Sequence, residues 1–226
     1  GSVAGWLSSI EMDWRDAEGP CLARHKAQLL RHGDEHFYLQ IDSHMRFVWH
    51  WDRLLRCAYA QCLRSGTHKP VLTAYPPGYS LPNQVPSDTR PVSVAASHFD
   101  QRDCMLRLVG KQLTQQLQQP LPAPFCVAGF AFGAITMIDD APYDPRMPFL
   151  FFGEEQCMAA RLYTHGYDFF APPSTVAFHL WSRDERRATF AEVNDHHREW
   201  LAWASRCKVL ALLRRCSSGG SGGNGS

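Results

Sequence analysis

The sequence predicts an α/β domain with a mostly parallel sheet. Short apolar strands alternate with helical segments along the chain, which is the pattern of that class. The chain has 226 residues, enough to bury a sizeable core, and 45% of them are hydrophobic and 20% charged. The formal net charge of +1 gives no indication of a nucleic-acid partner, and no apolar run reaches the ~20 residues of a membrane span.

Helix and strand signals alternate through the first half of the chain. Pro20 follows Gly19, and Gly33 comes shortly after an apolar run, which predicts a helix over residues 20–31. Apolar residues at helical spacing predict a second helix over 46–63. Strands are predicted over 36–41, 70–75 and 91–96, with a proline-rich loop over 76–90 and an ambiguous polar segment over 101–119.

Glycines and prolines divide the second half. Gly129 and Gly133 interrupt an apolar run over 125–138, which predicts a strand and a turn there. A helix over 154–165 ends before Gly166, as helices often do. The remaining predicted elements are a loop leading into a strand over 142–152, strands over 167–170 and 176–180, and an amphipathic helix over 190–215. We therefore predict one domain over residues 1–187, a C-terminal helix over 188–216 and a flexible Gly/Ser tail over 217–226.

The eight cysteines are scattered and form no CxxC pair. Structural zinc sites need two close pairs, so a zinc ribbon is excluded. Isolated thiols within apolar patterns, such as Cys126 and Cys157, are typical of reduced, buried cysteines and favour a cytoplasmic location. A secreted, disulfide-bonded protein remains the alternative.

The segment 37–47, FYLQIDSHMRF, ends a predicted strand on Asp42 and His44. Residues i and i+2 of a strand project from the same face, so the two side chains are expected to point together beyond its carboxyl end. A carboxylate with an imidazole favours Mn²⁺ or another first-row divalent cation over Mg²⁺. The alternative is an aspartate that caps the next helix and a surface histidine.

Several segments together resemble one enzyme family. They are LQIDSHMRF, YPPGY, AGFAFG, YDPRMPFLFFGEEQCMAARLYTHGYDFFAPP and VAFHLWSR, in that order between residues 39 and 183, and the resemblance as a whole begins at about residue 15. In these motifs the chain resembles the hydroxyproline-directed N-acetylglucosaminyltransferases, which are retaining sugar transferases of the GT-A fold. It is similar, more distantly, to the polypeptide GalNAc-transferases.

The resemblance implies roles for individual residues. Asp42 and His44 match the two metal ligands of a DxH motif, and His179 matches the third ligand. Ser43 corresponds to a contact with the donor. Glu154 corresponds to the glutamate that hydrogen-bonds the hydroxyls of the donor sugar.

The adjacent carboxylates Glu154 and Glu155 also raise the alternative of a glycoside hydrolase. That mechanism needs two carboxyl groups about 5–9.5 Å apart that flank one bond. Neighbouring residues on a helix diverge by about 100°, so these two are not expected to face one glycosidic oxygen. We interpret Glu155 as an acidic residue that favours a helix N-terminus.

Four further residues are interpreted from their sequence context. Gly129 fits a close approach of backbone to sugar, or a bulge in a buried strand. Arg24 reaches the diphosphate or an acidic neighbour, or else it lies on a solvated helix face. Arg183 fits a phosphate contact, and Trp181 is expected in the core rather than as an acceptor platform.

The sequence thus predicts a GT-A-like (Rossmann-like) transferase that moves GlcNAc from UDP-GlcNAc to a hydroxyl, as on a protein hydroxyproline, with Mn²⁺. The alternatives are a GalNAc-type transferase, a binding module without turnover, and a metal-dependent hydrolase. Some forty residues precede Asp42, fewer than a GT-A domain places before its DxH strand. We therefore expect an N-terminally truncated domain that lacks most of the nucleoside pocket, binds UDP weakly and turns over poorly or not at all.

Overall fold

The computed structural model describes residues 7–182 and 196–218, which fall into two compact units. The larger unit comprises His36–Ala141 and Glu155–Arg186, and the smaller comprises Gly1–Glu35, Pro142–Glu154 and Arg187–Ser226. The predicted division at residues 187 and 216 stays a prediction.

The larger unit is built on a mixed sheet. Its strands are β1 (Phe37–Ile41), β2 (Met45–Phe47), β3 (Pro70–Thr73), β4 (Val92–Phe99), β5 (Leu106–Gln112), β6 (Leu121–Pro122), β7 (Phe130–Ala134), β8 (Asp168–Ala171) and β9 (Ala177–His179). Among the described residues, five of them form the central sheet in the order β1-β7-β3-β8-β6. The α/β class is confirmed.

The prediction of a mostly parallel sheet is wrong. Strand β7 runs antiparallel to both β1 and β3, and β6 runs antiparallel to β8, so β3 and β8 make the parallel pair of the central sheet. Continuous apolar runs are typical of parallel sheets because such strands are buried on both faces, but a strand buried on both faces can also pair antiparallel with its neighbour. Strand β1 lies at one edge of this sheet.

Two short pairings lie outside the central sheet. Strand β2 pairs antiparallel with β9, and β4 forms a hairpin with β5. The predicted helix over 46–63 therefore begins later than expected, because residues 45–47 are taken up by the pairing with β9. The ambiguous polar segment over 101–119 contains β5.

Helix α2 (Trp51–Arg64) packs its apolar face on the central sheet. Its buried residues recur at three- and four-residue intervals, as a helix on a sheet requires. With residues of the sheet they form a core cluster whose members include Leu55, Ala58, Tyr59, Cys62, Leu72, Phe130 and Phe132. Burial of one such large side chain contributes about 1.5–3 kcal/mol.

Two further helices follow β7. Helix α3 (Thr136–Asp140) is one short turn, and α4 (Glu154–Thr164) begins at the last residue of a smaller-unit segment and continues in the larger unit. Gly166 follows α4 with φ of +83°, a left-handed conformation that glycine adopts without strain, as predicted. No strand is found over 142–152, contrary to the prediction.

The smaller unit contains helices α1 (Pro20–Gln28) and α5 (His196–Ser218). The predicted start of α5 at residue 190 lies outside the described residues. Among the side chains of α5 that the structure describes, Ser205 and Val209 are buried, whereas Trp200 is 60% exposed, so the predicted apolar face is wrong in part. The Ser205 hydroxyl donates to the Pro148 carbonyl at 2.8 Å, which places α5 against the segment that precedes α4.

Helices that could cross a bilayer are not found among the described residues, since none is both long and apolar enough. The cysteines described there are free thiols, and four of them, Cys21, Cys62, Cys126 and Cys157, are buried. Burial raises the pKa of the Cys62 thiol to about 11.

Candidate active site

Asp42 is held at the end of β1 by the main chain. Its amide donates to the Gly129 carbonyl at 3.2 Å, which continues the β1–β7 pairing by one residue. The side chain is 39% exposed. The sheet thus fixes the backbone of Asp42 and leaves its carboxylate at the surface.

His44 does not share a strand face with Asp42, so the predicted i, i+2 geometry is wrong. The chain leaves the strand conformation after β1, and His44 has φ of +63°, in the left-handed region that non-glycine residues rarely occupy. Such a conformation costs of order 1–3 kcal/mol and is common at functional sites. The exposed His44 ring lies 2.7 Å from the Ser43 hydroxyl through Nδ1.

His179 reaches Asp42 through the pairing of β2 with β9. In that pairing His179 is opposite Met45. The His179 amide donates to the Pro77 carbonyl at 2.9 Å, and the Tyr79 amide donates to the His179 carbonyl at 3.2 Å. The imidazole is buried, and its Nε2 lies 4.0 Å from Asp42 Oδ2.

The donor set fits a divalent cation in chemistry and partly in geometry. Two metal–ligand bonds of about 2.2 Å can span about 4.4 Å, so Asp42 and His179 are close enough to bind one ion. His44 follows Asp42 by two residues, its carbonyl accepts a hydrogen bond from the Leu180 amide at 3.1 Å, and its ring lies against Ser43. Across residues 7–182 and 196–218, no three His, Cys, Asp or Glu side chains are grouped closely enough to hold a metal. The three-residue metal site therefore stays a prediction.

Gly129 provides the space for the Asp42 carboxylate. A Cβ atom at this position would lie 2.8 Å from Asp42 Oδ2, closer than real Cβ contacts come. A side chain here would therefore force the Asp42 carboxylate to move, a reason for glycine that the sequence did not reveal.

Trp181 lies beside His179 and is not part of the core, contrary to the prediction. The side chain is half exposed, and its ring centroid is 4.4 Å from that of His179. Its indole N–H donates to the Pro76 carbonyl at 3.0 Å, and its ring meets the edge of Tyr75 at 6.1 Å. The YPPGY loop therefore holds this aromatic ring in a fixed orientation.

Glu155 makes contacts that sequence reasoning missed. Its Oε2 accepts a hydrogen bond from the Tyr75 hydroxyl at 2.5 Å, and its Oε1 accepts one from the Ala128 amide at 3.0 Å. Its interpretation as helix-start electrostatics is therefore incomplete. No sequence signal could have revealed these contacts, because the tyrosine partner is 80 residues away in the chain.

Glu154 and Arg24 form a buried ion pair within the smaller unit. Their side chains are 5% and 16% exposed, and the guanidinium also lies 5.7 Å from the centre of the Tyr143 ring. Helix α1 is fixed there by His25 and Gln28, which hydrogen-bond the Tyr143 carbonyl and amide at 3.0 Å each. The structure thus supports the interpretation in which Arg24 pairs with an acidic neighbour, which is Glu154.

The structure thus brings together two groups of predicted residues and leaves one residue undescribed. Asp42, His179 and Gly129 lie close together in the larger unit, and Ser43 and His44 directly follow Asp42 in the chain. Arg24 and Glu154 are in contact in the smaller unit. Arg183 lies outside the described residues.

Comparison with known proteins gives one result beyond the geometry. The model of a family described as glycosyltransferase (GlcNAc) matches residues 5–222 of the chain. No individual curated protein gives a significant match.

Proposed function

We propose that this chain, which belongs to the glycosyltransferase (GlcNAc) family, moves GlcNAc from UDP-GlcNAc to a hydroxyl acceptor with retention at the anomeric carbon. We further propose that it has a GT-A-like fold, that the reaction needs a divalent cation, with Mn²⁺ the expected ion, and that the acceptor hydroxyl belongs to a protein hydroxyproline. The observation that carries the proposal is the 4.0 Å approach of Asp42 Oδ2 to His179 Nε2 at the end of β1.

The chemistry of Asp42, His44 and His179 supports the metal requirement. One carboxylate oxygen and two imidazole nitrogens suit a first-row divalent cation. When bound, the ion neutralises the charge that builds on the diphosphate as the sugar leaves. Arg24, Ser43, Gly129 and Arg183 are proposed donor-binding residues.

In the proposed transfer, the bond between the anomeric carbon and the UDP oxygen breaks. A bond between that carbon and the acceptor oxygen forms on the same face, and the acceptor proton passes to the leaving phosphate oxygen. Glu154 hydrogen-bonds the hydroxyls of the donor sugar. The protein contributes mainly position and electrostatic stabilisation to such a step.

A cytoplasmic location is also proposed. It is supported by the cysteines that pack as thiols in the interior, as expected for a reducing compartment.

The experiment compares the wild-type protein with Asp42→Asn. UDP release is measured with UDP-GlcNAc, Mn²⁺ and a hydroxyproline peptide, and again with EDTA or with UDP-GalNAc. We expect UDP release when UDP-GlcNAc, Mn²⁺ and the peptide are present, and no release with EDTA or with UDP-GalNAc. Asp42→Asn should lose this release. Its melting temperature should stay unchanged, because Asp42 is at the surface. Asp52→Asn, which changes an exposed aspartate of α2, is the matched control.

Full activity in EDTA or in Asp42→Asn would overturn the metal proposal. Binding of UDP-GlcNAc without any UDP release would instead indicate a binding module, and faster release from UDP-GalNAc a GalNAc-type transferase.

A further inference from the structure

Asp42 and His179 lie on two walls of the larger unit that are distant in sequence. The first wall carries Ala128 and Gly129, whose carbonyl accepts the hydrogen bond from the Asp42 amide. The second wall consists of the YPPGY loop, which begins at Tyr75, and the strand that carries His179. The distance between Asp42 and His179 depends on the spacing of these walls.

The Glu155 carboxylate connects both walls. Oε1 accepts from the Ala128 amide on the first wall, and Oε2 accepts from the Tyr75 hydroxyl on the second. A carboxylate without its proton offers only acceptors, so it can hold two donors at once. Hydrogen bonds to a charged acceptor are about twice as strong as those between neutral groups.

Each of the two residues that Glu155 contacts is separated from the candidate site by one intervening residue. On the first wall, Ala128 precedes Gly129, whose missing side chain leaves 2.8 Å to Asp42 Oδ2. On the second wall, the Tyr75 ring meets Trp181, and the Trp181 ring lies against His179. A movement of either wall would therefore displace Asp42 or His179 and change the 4.0 Å distance between them.

We propose that Glu155 is a positioning residue, which holds these two walls at the spacing that brings Asp42 and His179 onto one cation. This inference rests on the proposed metal-dependent transfer. Glu155 acts through Ala128 and Tyr75, and it takes no part in the chemical step. Partners that hydrogen-bond metal ligands directly typically contribute 10–100-fold to metal affinity or activity, and we use that range as the scale for Glu155.

Three substitutions at the connection are predicted to have graded effects. Glu155→Ala removes both hydrogen bonds and should lower kcat at saturating donor by about 10–100-fold. Tyr75→Phe removes one bond and should have a smaller effect. Glu155→Gln can accept from Ala128 through its oxygen and donate to the Tyr75 oxygen through its nitrogen, so it should restore most of the activity. Glu35→Ala is the matched control, because Glu35 also accepts two hydrogen bonds, from the amides of His32 and Gly33.

Amide hydrogen exchange provides a readout that does not depend on turnover. In Glu155→Ala we expect faster exchange at the amides of Ala128, Asp42 and His179. The Asp168 amide, which donates to the Lys69 carbonyl at 3.0 Å elsewhere in the sheet, should keep its exchange rate. General destabilisation would accelerate all four, and that outcome would overturn a positioning role. If Glu155→Ala does not fold, the same measurements on Tyr75→Phe decide.

Unchanged exchange at Asp42 and His179, or full activity with both walls loosened, would overturn the inference. If the wild-type protein shows no transfer, the proposed function fails. The exchange rates then still establish whether Glu155 holds the two walls.

Discussion

Asp42 and Glu154, two carboxylates that the motifs assign to one reaction, lie in contrasting surroundings. Glu154 is 5% exposed and is paired with the permanently charged Arg24, whereas Asp42 is 39% exposed and its ion-pair partner is the imidazole of His179. An imidazole is charged only when protonated. Glu154 therefore has a permanent countercharge in Arg24, whereas Asp42 and His179 offer an oxygen and a nitrogen donor, which suit the proposed cation.

The difference separates two uses of a carboxylate. A buried carboxylate that has a guanidinium partner contributes hydrogen-bond acceptors in a fixed position. A half-exposed carboxylate beside an imidazole can contribute negative charge to a bound cation. Glu155, adjacent to Glu154, shows a third use, because it accepts hydrogen bonds from the hydroxyl of Tyr75 and the backbone amide of Ala128.

The largest change in activity is expected for Glu154→Gln. If Glu154 binds the donor hydroxyls, the turnover of this variant should fall by a factor on the order of 10²–10⁴, with UDP affinity little changed. Steady-state kinetics and UDP titration measure both quantities. Glu199→Gln, at an exposed site of α5, is the control. An equal loss of UDP affinity would mean that Glu154 supports the diphosphate site or the fold.

Arg24→Met should reduce the free energy of unfolding by about 3–5 kcal/mol, because it leaves Glu154 buried without its countercharge. The double variant Arg24→Met with Glu154→Gln should recover most of that loss. Urea denaturation of the three proteins measures these differences. A loss below about 1 kcal/mol in the single variant would contradict the importance of the buried pair.

Gly129→Ala tests the crowding around Asp42. The new Cβ would lie 2.8 Å from Asp42 Oδ2, so the carboxylate must move, and we expect a loss of about 1–3 kcal/mol together with weaker Mn²⁺ binding. Gly133→Ala, on β7, is the comparison, because its Cβ would be crowded by the Met137 sulfur at 3.0 Å and the Pro70 carbonyl at 3.3 Å and not by Asp42. Stability should therefore fall there while Mn²⁺ affinity is kept. Thermal melting and Mn²⁺ titration distinguish the two, and equal Mn²⁺ affinities would contradict the crowding argument.

Asp140 is a partly exposed carboxylate outside the candidate site, and its substitution is expected to have the smallest effect on the free energy of unfolding. Hydrogen bonds from Lys69 and then Tyr167 hold its pKa below the ordinary value. Its contribution to stability is therefore present above the ordinary carboxyl pKa of about 4 and is lost as the pH falls through the lower folded-state pKa. Asp140→Asn should cost about 1 kcal/mol or less at pH 7 and lose less stability on acidification. Melting temperatures from pH 7 to pH 3 test this, and identical slopes would contradict it.

Local pattern predicted many of the elements well. Helix α4 with its closing glycine and the strands β1 and β3 follow from short periodicities and turn residues. The failures have a common cause. The direction of β7, the pairing that shortens the second predicted helix, and the exposure of Trp181 all depend on partners elsewhere in the chain.

By itself, the sequence determined the α/β class, the glycosyltransferase motifs and the residues that carry titratable groups, because each is written in consecutive residues. Only the tertiary structure decided which partner each carboxylate has. Arg24 and Glu154 are 130 residues apart, and Tyr75 and Glu155 are 80 apart. Hydrophobic periodicity extends over a few turns of helix or one strand, so contacts at such separations leave no periodic trace, and only the packed chain brings the groups together.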